Sequence, residues 1–289
     1  MKNFRVIIFM IIVLCLSACS NGDKTIISLK EANIPEGKAE KTEVFNLKYQ
    51  SDGLEVAGYI IKPVEIKKDA PVMIYNRGGN RDYDRLDINT INYLSGWARK
   101  GYVVLASQYR GNSSSEGKEE FGGSDVNDVL NLINVANELP YADTDHIVML
   151  GESRGGMMSY LAAKQGIKIK AMAVVGGMTD LFDTYENRED DMKNVLEELV
   201  GDPVKDKQKY IDRSAVYWAE DIKIPTLILH GEDDVRVSID QSRELVKELD
   251  EHNKEYKFIS YPRGDHMLNT HFEEMTTEID LWFSKYIKN

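Results

Sequence analysis

Residues 146–156 read His146-Ile147-Val148-Met149-Leu150-Gly151-Glu152-Ser153-Arg154-Gly155-Gly156. The opening run is apolar and rich in β formers, short enough for a strand buried on both faces. Behind it, residues 155–165 carry Met157, Met158, Leu161, Ala162 and Ala163 and read as a helix. A strand that passes through Gly-x-Ser-x-Gly into a helix holds its serine on a sharp, strained turn that pushes the hydroxyl clear of the sheet. The flanking glycines are a steric requirement, because a larger residue two before or two after the serine would strike the neighbouring strand and helix. The helix N-terminus beneath the serine presents unpaired N–H groups and a partial positive charge. This stretch therefore predicts a nucleophile, Ser153, in a sheet whose strands lead into helices.

The same alternation continues on both sides. Apolar runs at 54–64, 71–75, 102–107, 171–175, 226–229 and 256–261 read as strands, and 87–100, 124–139, 238–251 and 272–287 as helices. Ser124 and Ser238 stand where helix caps belong. Short two-sided apolar strands separated by helices indicate a mostly parallel sheet covered on both faces. Chemistry in such sheets gathers at the carboxyl ends of the strands. Residues 180–214 interrupt the pattern with an acidic, partly helical stretch that reads as a small insertion or lid over that end.

A serine hydroxyl needs a base, and the base needs an orienting carboxylate. His230-Gly231-Glu232-Asp233-Asp234-Val235-Arg236-Val237 follows one strand, and Pro262-Arg263-Gly264-Asp265-His266 follows the last. Both groups fall at strand carboxyl ends, in the order serine, acid, histidine. His266 is the expected base. Spacing alone leaves Asp233 beside Asp234 as the acid. His230 reads as structural, and His146, His252 and His271 as surface or helix-boundary residues.

His230-Gly231 with Asp234 and Val237 resembles the H-G-x-x-D-x-x-V signature of the prolyl oligopeptidase family and its dienelactone-hydrolase-like relatives. Gly264-Asp265-His266 resembles that family's histidine loop, Tyr109-Arg110-Gly111 its Y-R-G segment, and 217–225 also reads like the family. The resemblance runs from about residue 72 to the C-terminus. It implies an α/β-hydrolase fold: a mostly parallel eight-stranded sheet with helices on both faces. It also implies Ser153 as nucleophile, Asp234 as acid and His266 as base. A dehalogenase-like relative would need aspartate at the elbow, where Ser153 stands.

A developing oxyanion needs donors about 3 Å away. The expected donors are the backbone N–H of Arg154 and one from Arg77 or Gly78, in the loop Asn76-Arg77-Gly78-Gly79-Asn80-Arg81. In the resembling family this loop often reads H-G-G or Y-G-G, and Arg77 occupies the His or Tyr position. Arg77, Arg81, Arg110 and Arg154 all belong to loops at one end of the sheet. Either one or more reads a substrate carboxylate, with Arg110 and Tyr109 as candidate substrate contacts, or they pair with local acids such as Asp82, Asp84 and Glu152.

Lys2 and Arg5 precede an apolar run at 6–16 and then Ser17-Ala18-Cys19, the pattern of a secretory signal peptide. The run is short for a membrane span, which needs about 20 residues. Leu16-Ser17-Ala18-Cys19 resembles the lipobox of bacterial lipoproteins. That resemblance implies removal of 1–18, lipidation of Cys19 and anchoring to a membrane of the bacterial cell envelope. Residues 19–43 then read as a tether and 44–289 as the catalytic domain. Cys15 and Cys19 are the only two cysteines, so no disulfide framework or zinc site is expected.

Lys and Arg total 36 against 48 Asp and Glu, a net charge of −12. Nucleic acid is an unsuitable partner for such a chain, since phosphate neutralisation needs basic stripes. No metal or organic cofactor is implied. The expected activity is that of a serine hydrolase cleaving an ester or peptide bond through an acyl-enzyme, on a small-molecule ester or a short peptide. A prolyl-oligopeptidase-like peptidase is the leading reading, with a carboxylesterase or deacetylase of small or sugar esters as the alternative. A non-catalytic binding lipoprotein is the alternative of another class. Large members of the resembling family carry a β-propeller before the catalytic domain; the short stretch between Cys19 and the first expected strand has no room for one.

Overall fold

The computed structural model describes residues 24–66 and 68–287. The signal-peptide reading of 1–18 and the lipidation of Cys19 lie outside the described residues. The first half of the fold is β1 (Ile26–Glu31), β2 (Thr42–Ser51), β3 (Leu54–Pro63), β4 (Ala70–Asn76), α1 (Ile88–Arg99), β5 (Val103–Ser107), α2 (Val126–Leu130), α3 (Leu132–Asn137) and β6 (Ala142–Glu152). The second half is α4 (Arg154–Lys164), β7 (Ala171–Val175), α5 (Leu181–Asn187), α6 (Asp190–Leu199), α7 (Lys207–Arg213), β8 (Thr226–Gly231), α8 (Ile239–Glu251), β9 (Tyr256–Tyr261) and α9 (Phe272–Ile287).

The strands form one sheet in the order β1-β2-β3-β5-β4-β6-β7-β8-β9. The pairs β1/β2, β2/β3 and β3/β5 are antiparallel, and every pair from β5 to β9 is parallel. Parallel neighbours need a crossover, and the helices supply it. Successive residues of a strand face opposite sides. Val72, Ile74, Ile147, Met149 and Val174 pack beneath α2, α3, α4 and α8, while Met73, Val148, Leu150, Ala173 and Leu227 pack beneath α1 and α9. Both faces are covered, which is why these strands read as continuous apolar runs. This is the α/β-hydrolase fold.

The sheet has nine strands where eight were expected. The additional strand, β1, lies within the stretch read as a tether and pairs with β2 through Leu29 opposite Leu47. Most of its side chains are exposed or half-buried, so it carries no apolar run; backbone pairing to an edge forms it. Within the stretch 19–43, Ile26–Glu31 therefore belongs to the sheet and not to a tether. Ala39 in the same stretch is buried, and its N–H donates to Asn92 at 3.1 Å. The helix expected at 124–139 is divided into α2 and α3 at Asn131.

Residues 180–214 do leave the alternation, as three short helices, α5 to α7, between β7 and β8. The Asp180 carboxylate caps α5 by accepting from the Phe182 N–H at 2.8 Å. Among the described residues no helix is long and apolar enough to cross a membrane.

Candidate active site

Ser153 stands at the junction of β6 and α4 with φ 56° and ψ −122°, a region that non-glycine residues occupy only when the surroundings force them. Its N–H donates to the Val175 carbonyl at 2.9 Å and its carbonyl accepts from Gly156 at 2.9 Å. A Cβ at Gly151 would run into the Gly155 carbonyl and Ser159, and one at Gly155 into the Asn76 carbonyl. The turn is thus closed from both sides, and the glycines two before and two after Ser153 are required.

The loop after β9 brings Nε2 of His266 to 2.9 Å from Oγ of Ser153. Nδ1 of the same ring is 2.7 Å from Oδ2 of Asp234, in the loop after β8. Asp234, not Asp233, meets the histidine; Asp233 is exposed and joins the site only through its N–H on the Gly264 carbonyl. Oδ1 of Asp234 accepts from the N–H groups of Arg236 at 2.8 Å and Val237 at 3.0 Å.

His230 does more than fill space. It is fully buried, with Nδ1 2.7 Å from Ser242 Oγ and Nε2 2.9 Å from the Val237 carbonyl. Nε2 also stands 3.0 Å from Oδ2 of Asp234. Burial opposes ionisation of the Asp234 carboxyl, but hydrogen bonds from His230, His266 and the Val237 amide outweigh it and hold the group well below the usual carboxylate range. A fixed anion at Asp234 accepts Nδ1–H of His266 and leaves the Nε2 lone pair aimed at the serine hydroxyl. That arrangement can withdraw the hydroxyl proton as oxygen attacks a carbonyl.

The Arg154 amide opens α4, where the first N–H groups lack intrahelical acceptors. Of Arg77 and Gly78, it is Gly78 that adjoins the serine: a Cβ there would lie 3.1 Å from Ser153 Cβ. The Arg77 side chain is turned inward and fully buried. It donates to the carbonyls of Gln108 at 3.0 Å, Gly78 at 2.9 Å and Arg81 at 3.1 Å, and so ties the loop after β4 to the end of β5.

The expectation that Tyr109 and Arg110 contact substrate is corrected. Tyr109 is buried, 5.1 Å from each of the guanidinium groups of Arg77 and Arg154. Arg110 is buried against Asp128 at 2.7 Å and Asp52 at 2.8 Å. Arg154 binds Asp125 at 2.6 Å and Glu119. Arg81 pairs with Glu198 of α6 at 2.5 Å. The four arginines do pair with acids or carbonyls, but their acids are not Asp82, Asp84 or Glu152. Glu152 is instead buried beneath Tyr75, whose hydroxyl donates to it at 2.5 Å. Burial pushes its carboxyl up to about 7, against the opposing Tyr75 hydrogen bond.

Ser153 and His266 open into a cleft of about 260 Å³ lined by Phe121, Met178, Met192, Arg188 and Arg236 among others. Met192 belongs to α6 and Arg188 follows α5, so residues 180–214 do wall the site. A larger hollow of about 600 Å³ lies by β1 to β3 near Lys30 and Arg85; it contains none of the three converging residues, and chemistry favours the smaller one. Arg188 follows the end of α5, and no sequence pattern marks it. Arg236 sits two residues after Asp234 and could have been noticed there. Among the described residues no group of three or more His, Cys, Asp or Glu side chains converges as a metal site requires.

A family model described as the prolyl oligopeptidase family matches residues 89–289. The chain belongs to the prolyl oligopeptidase family. It is a serine hydrolase of that peptidase family. Among curated proteins, the uncharacterized peptidase YtmA of Bacillus subtilis (strain 168) is 31% identical over 217 residues, covering 75% of this chain and 83% of that protein. The chain spans only 34% and 32% of the length of two other relatives in the family.

Among solved structures, the acylaminoacyl peptidase of Pyrococcus horikoshii superposes with TM-score 0.74 at 24% identity, over 86% of this chain and 42% of that one. Acetyl xylan esterase 1 of Thermoanaerobacterium sp. JW/SL YS485 superposes with TM-score 0.68 at 16% identity, over 90% and 88%. Both likenesses are of fold.

Proposed function

We propose that this prolyl oligopeptidase family member cleaves short peptides or small acyl compounds by acyl transfer to Ser153. The observation that carries the reading is the unbroken hydrogen-bonded line from Asp234 through His266 to Ser153, with spacings of 2.7 and 2.9 Å. Ser153 Oγ attacks the carbonyl carbon while its proton passes to His266 Nε2. Asp234 keeps the ring oriented and balances the imidazolium charge. The carbonyl oxygen takes up negative charge between the amides of Arg154 and Gly78. His266 returns the proton to the leaving group as its bond to carbon breaks. Water, deprotonated by the same nitrogen, then attacks the acyl-enzyme and releases the acid and free Ser153.

The small cleft and its apolar lining of Phe121, Met178 and Met192 support a compact substrate. Family membership favours an amide bond, and an ester is the alternative at the same site. The lipobox-like Leu16-Ser17-Ala18-Cys19 supports a lipid-anchored location in the bacterial cell envelope. Loss of membrane association in Cys19→Ser is the expected sign of such an anchor.

The test is covalent labelling by a fluorophosphonate at neutral pH, in the full chain and in Ser153→Ala. Labelling of the first and not the second is expected. No labelling of either would return the protein to a binding role without catalysis. A matched ester and anilide of one acyl group then decide the bond: anilide turnover marks a peptidase, and turnover of the ester alone an esterase.

A further inference from the structure

Arginine is abundant at the catalytic end of the sheet, and most of it is already engaged. Arg77, Arg110 and Arg154 are buried against internal acceptors, and Arg81 is held by Glu198. Two arginines lining the cleft differ. Arg188, at the end of α5, donates through Nη1 to the Arg236 carbonyl at 2.8 Å. Arg236, in the acid loop, donates through Nη1 to the Tyr83 hydroxyl at 3.3 Å. Among the described residues neither makes an ion pair.

A guanidinium has five N–H donors, so most of the donor capacity of both remains open at the cleft. The surrounding acids do not neutralise them. Asp234 is occupied by the two histidines, and Asp183 accepts from Gln241 at 2.8 Å and Asn187 at 2.8 Å. Asp84 also lines the cleft, where its Oδ2 lies 3.0 Å from the position a Cβ on Gly78 would take, and it makes no ion pair with either arginine. The chain carries a net charge of −12, which disfavours anions at long range, so a local cationic pair in the cleft has a specific consequence for what is held there.

We propose that Arg188 and Arg236 form an anion-recognition site at the lid edge of the catalytic cleft, and that the preferred substrate carries a carboxylate on its acyl portion. This deepens, and rests on, the reading of Ser153 as nucleophile. The apolar side chains Phe121, Met178 and Met192 take the body of the acyl group, and the guanidinium groups take its charged end through charge-assisted hydrogen bonds. Because Arg188 belongs to the lid segment and Arg236 to the loop that holds Asp234, one bound carboxylate ties the lid to the catalytic loop. The carboxylate has two possible sources, an acidic side chain beside the scissile bond or an acid at the far end of the acyl chain.

Two isosteric pairs of nitrophenyl esters separate these sources: N-acetyl-glutamate against N-acetyl-glutamine, and N-glutaryl-alanine against its terminal amide. The readout is the ratio of kcat/KM for acid over amide, in the full chain. At least one pair is expected to give a ratio of about ten or more, falling towards one in Arg188→Gln and in Arg236→Gln. Lys100→Gln, which removes a surface charge paired with Asp280 beyond the end of α1, is expected to leave the ratio unchanged. Ratios at or below one for both pairs, or a ratio indifferent to both cleft substitutions, overturn the proposal.

Calorimetric binding of N-glutaryl-alanine amide and N-acetyl-glutamate amide, each against its uncharged analogue, to Ser153→Ala reads the arginines without turnover. Tighter binding of at least one acid, lost in Arg236→Gln on the same background, supports the site even if another residue proves to be the nucleophile. Equal binding of acid and analogue in both pairs overturns the site whatever Ser153 does.

Discussion

Nε2 of His230 lies 3.0 Å from Oδ2 of Asp234, the same oxygen that meets Nδ1 of His266 at 2.7 Å. The acid is therefore held between two imidazoles, one buried behind it and one facing the serine. His230→Leu removes a donor to the carboxylate and strips partners from Ser242 and the Val237 carbonyl. A loss of about 2–4 kcal/mol at neutral pH is expected. Asp234 has a depressed folded pKa, so its stabilisation is present above the unfolded value near 4 and is lost as pH falls through the folded value. Urea melts should show the gap between wild type and His230→Leu at its widest above pH 4 and narrowing below it.

Asp234→Asn is expected to lower kcat by about 10⁴-fold, the size seen when an orienting carboxylate becomes an amide in the Ser-His-Asp template. Asp233→Asn should stay within about twofold, as expected for an exposed surface substitution. Steady-state kinetics on one ester substrate compare the two neighbours directly. A larger loss at Asp233 would reverse the assignment.

Glu152 is a buried carboxyl pushed up to about 7. Below the unfolded pKa near 4.5 both states are protonated and the group has no effect on stability. Between there and about pH 7 the unfolded chain ionises while the folded protein does not, so folding loses stability as pH rises; above that range the penalty is constant. The limit is about 3 kcal/mol from the shift alone. Relative to wild type, Glu152→Gln should therefore gain stability between pH 4.5 and 7 and hold that gain at pH 8. Parallel thermal melts at pH 5 and pH 8 measure the difference. An equal offset at both would show that Glu152 ionises normally.

Arg154 contributes its amide to the proposed oxyanion site and its side chain to the core. Its guanidinium meets Asp125 at 2.6 Å, and Glu119 as well, with all three side chains nearly or fully buried. Arg154→Met leaves two buried carboxylates unpaired and should destabilise by about 3–5 kcal/mol. The backbone donor survives, so the folded fraction should still label at Ser153. Denaturant titration gives the first quantity and fluorophosphonate labelling the second.

Much of the site was legible because it is written in local backbone constraints. The glycines around Ser153 announce a turn with no space for side chains, and the Asn76 carbonyl and Ser159 supply the walls that exclude them. Apolar runs of strand length, uninterrupted by polar alternation, announce a sheet buried on both faces. The edge strand β1 escaped that reading because its side chains face solvent and only its backbone is paired.

Sequence by itself determined Ser153, His266, the loop that holds the acid and the covered parallel sheet, since turn sterics and side-chain period act over a few residues. Spacing left Asp233 open beside the Asp234 that the family signature implied, and tertiary structure alone decided that His230 stands behind the acid and which arginines remain available in the cleft. A guanidinium on a long side chain takes the best acceptor within reach, and here those acceptors come from elsewhere in the chain: Asp125 and Glu119 for Arg154, the Gln108 carbonyl for Arg77, Asp52 and Asp128 for Arg110. Motif spacing does not encode such encounters, because they depend on how separate loops are brought together by the sheet between them.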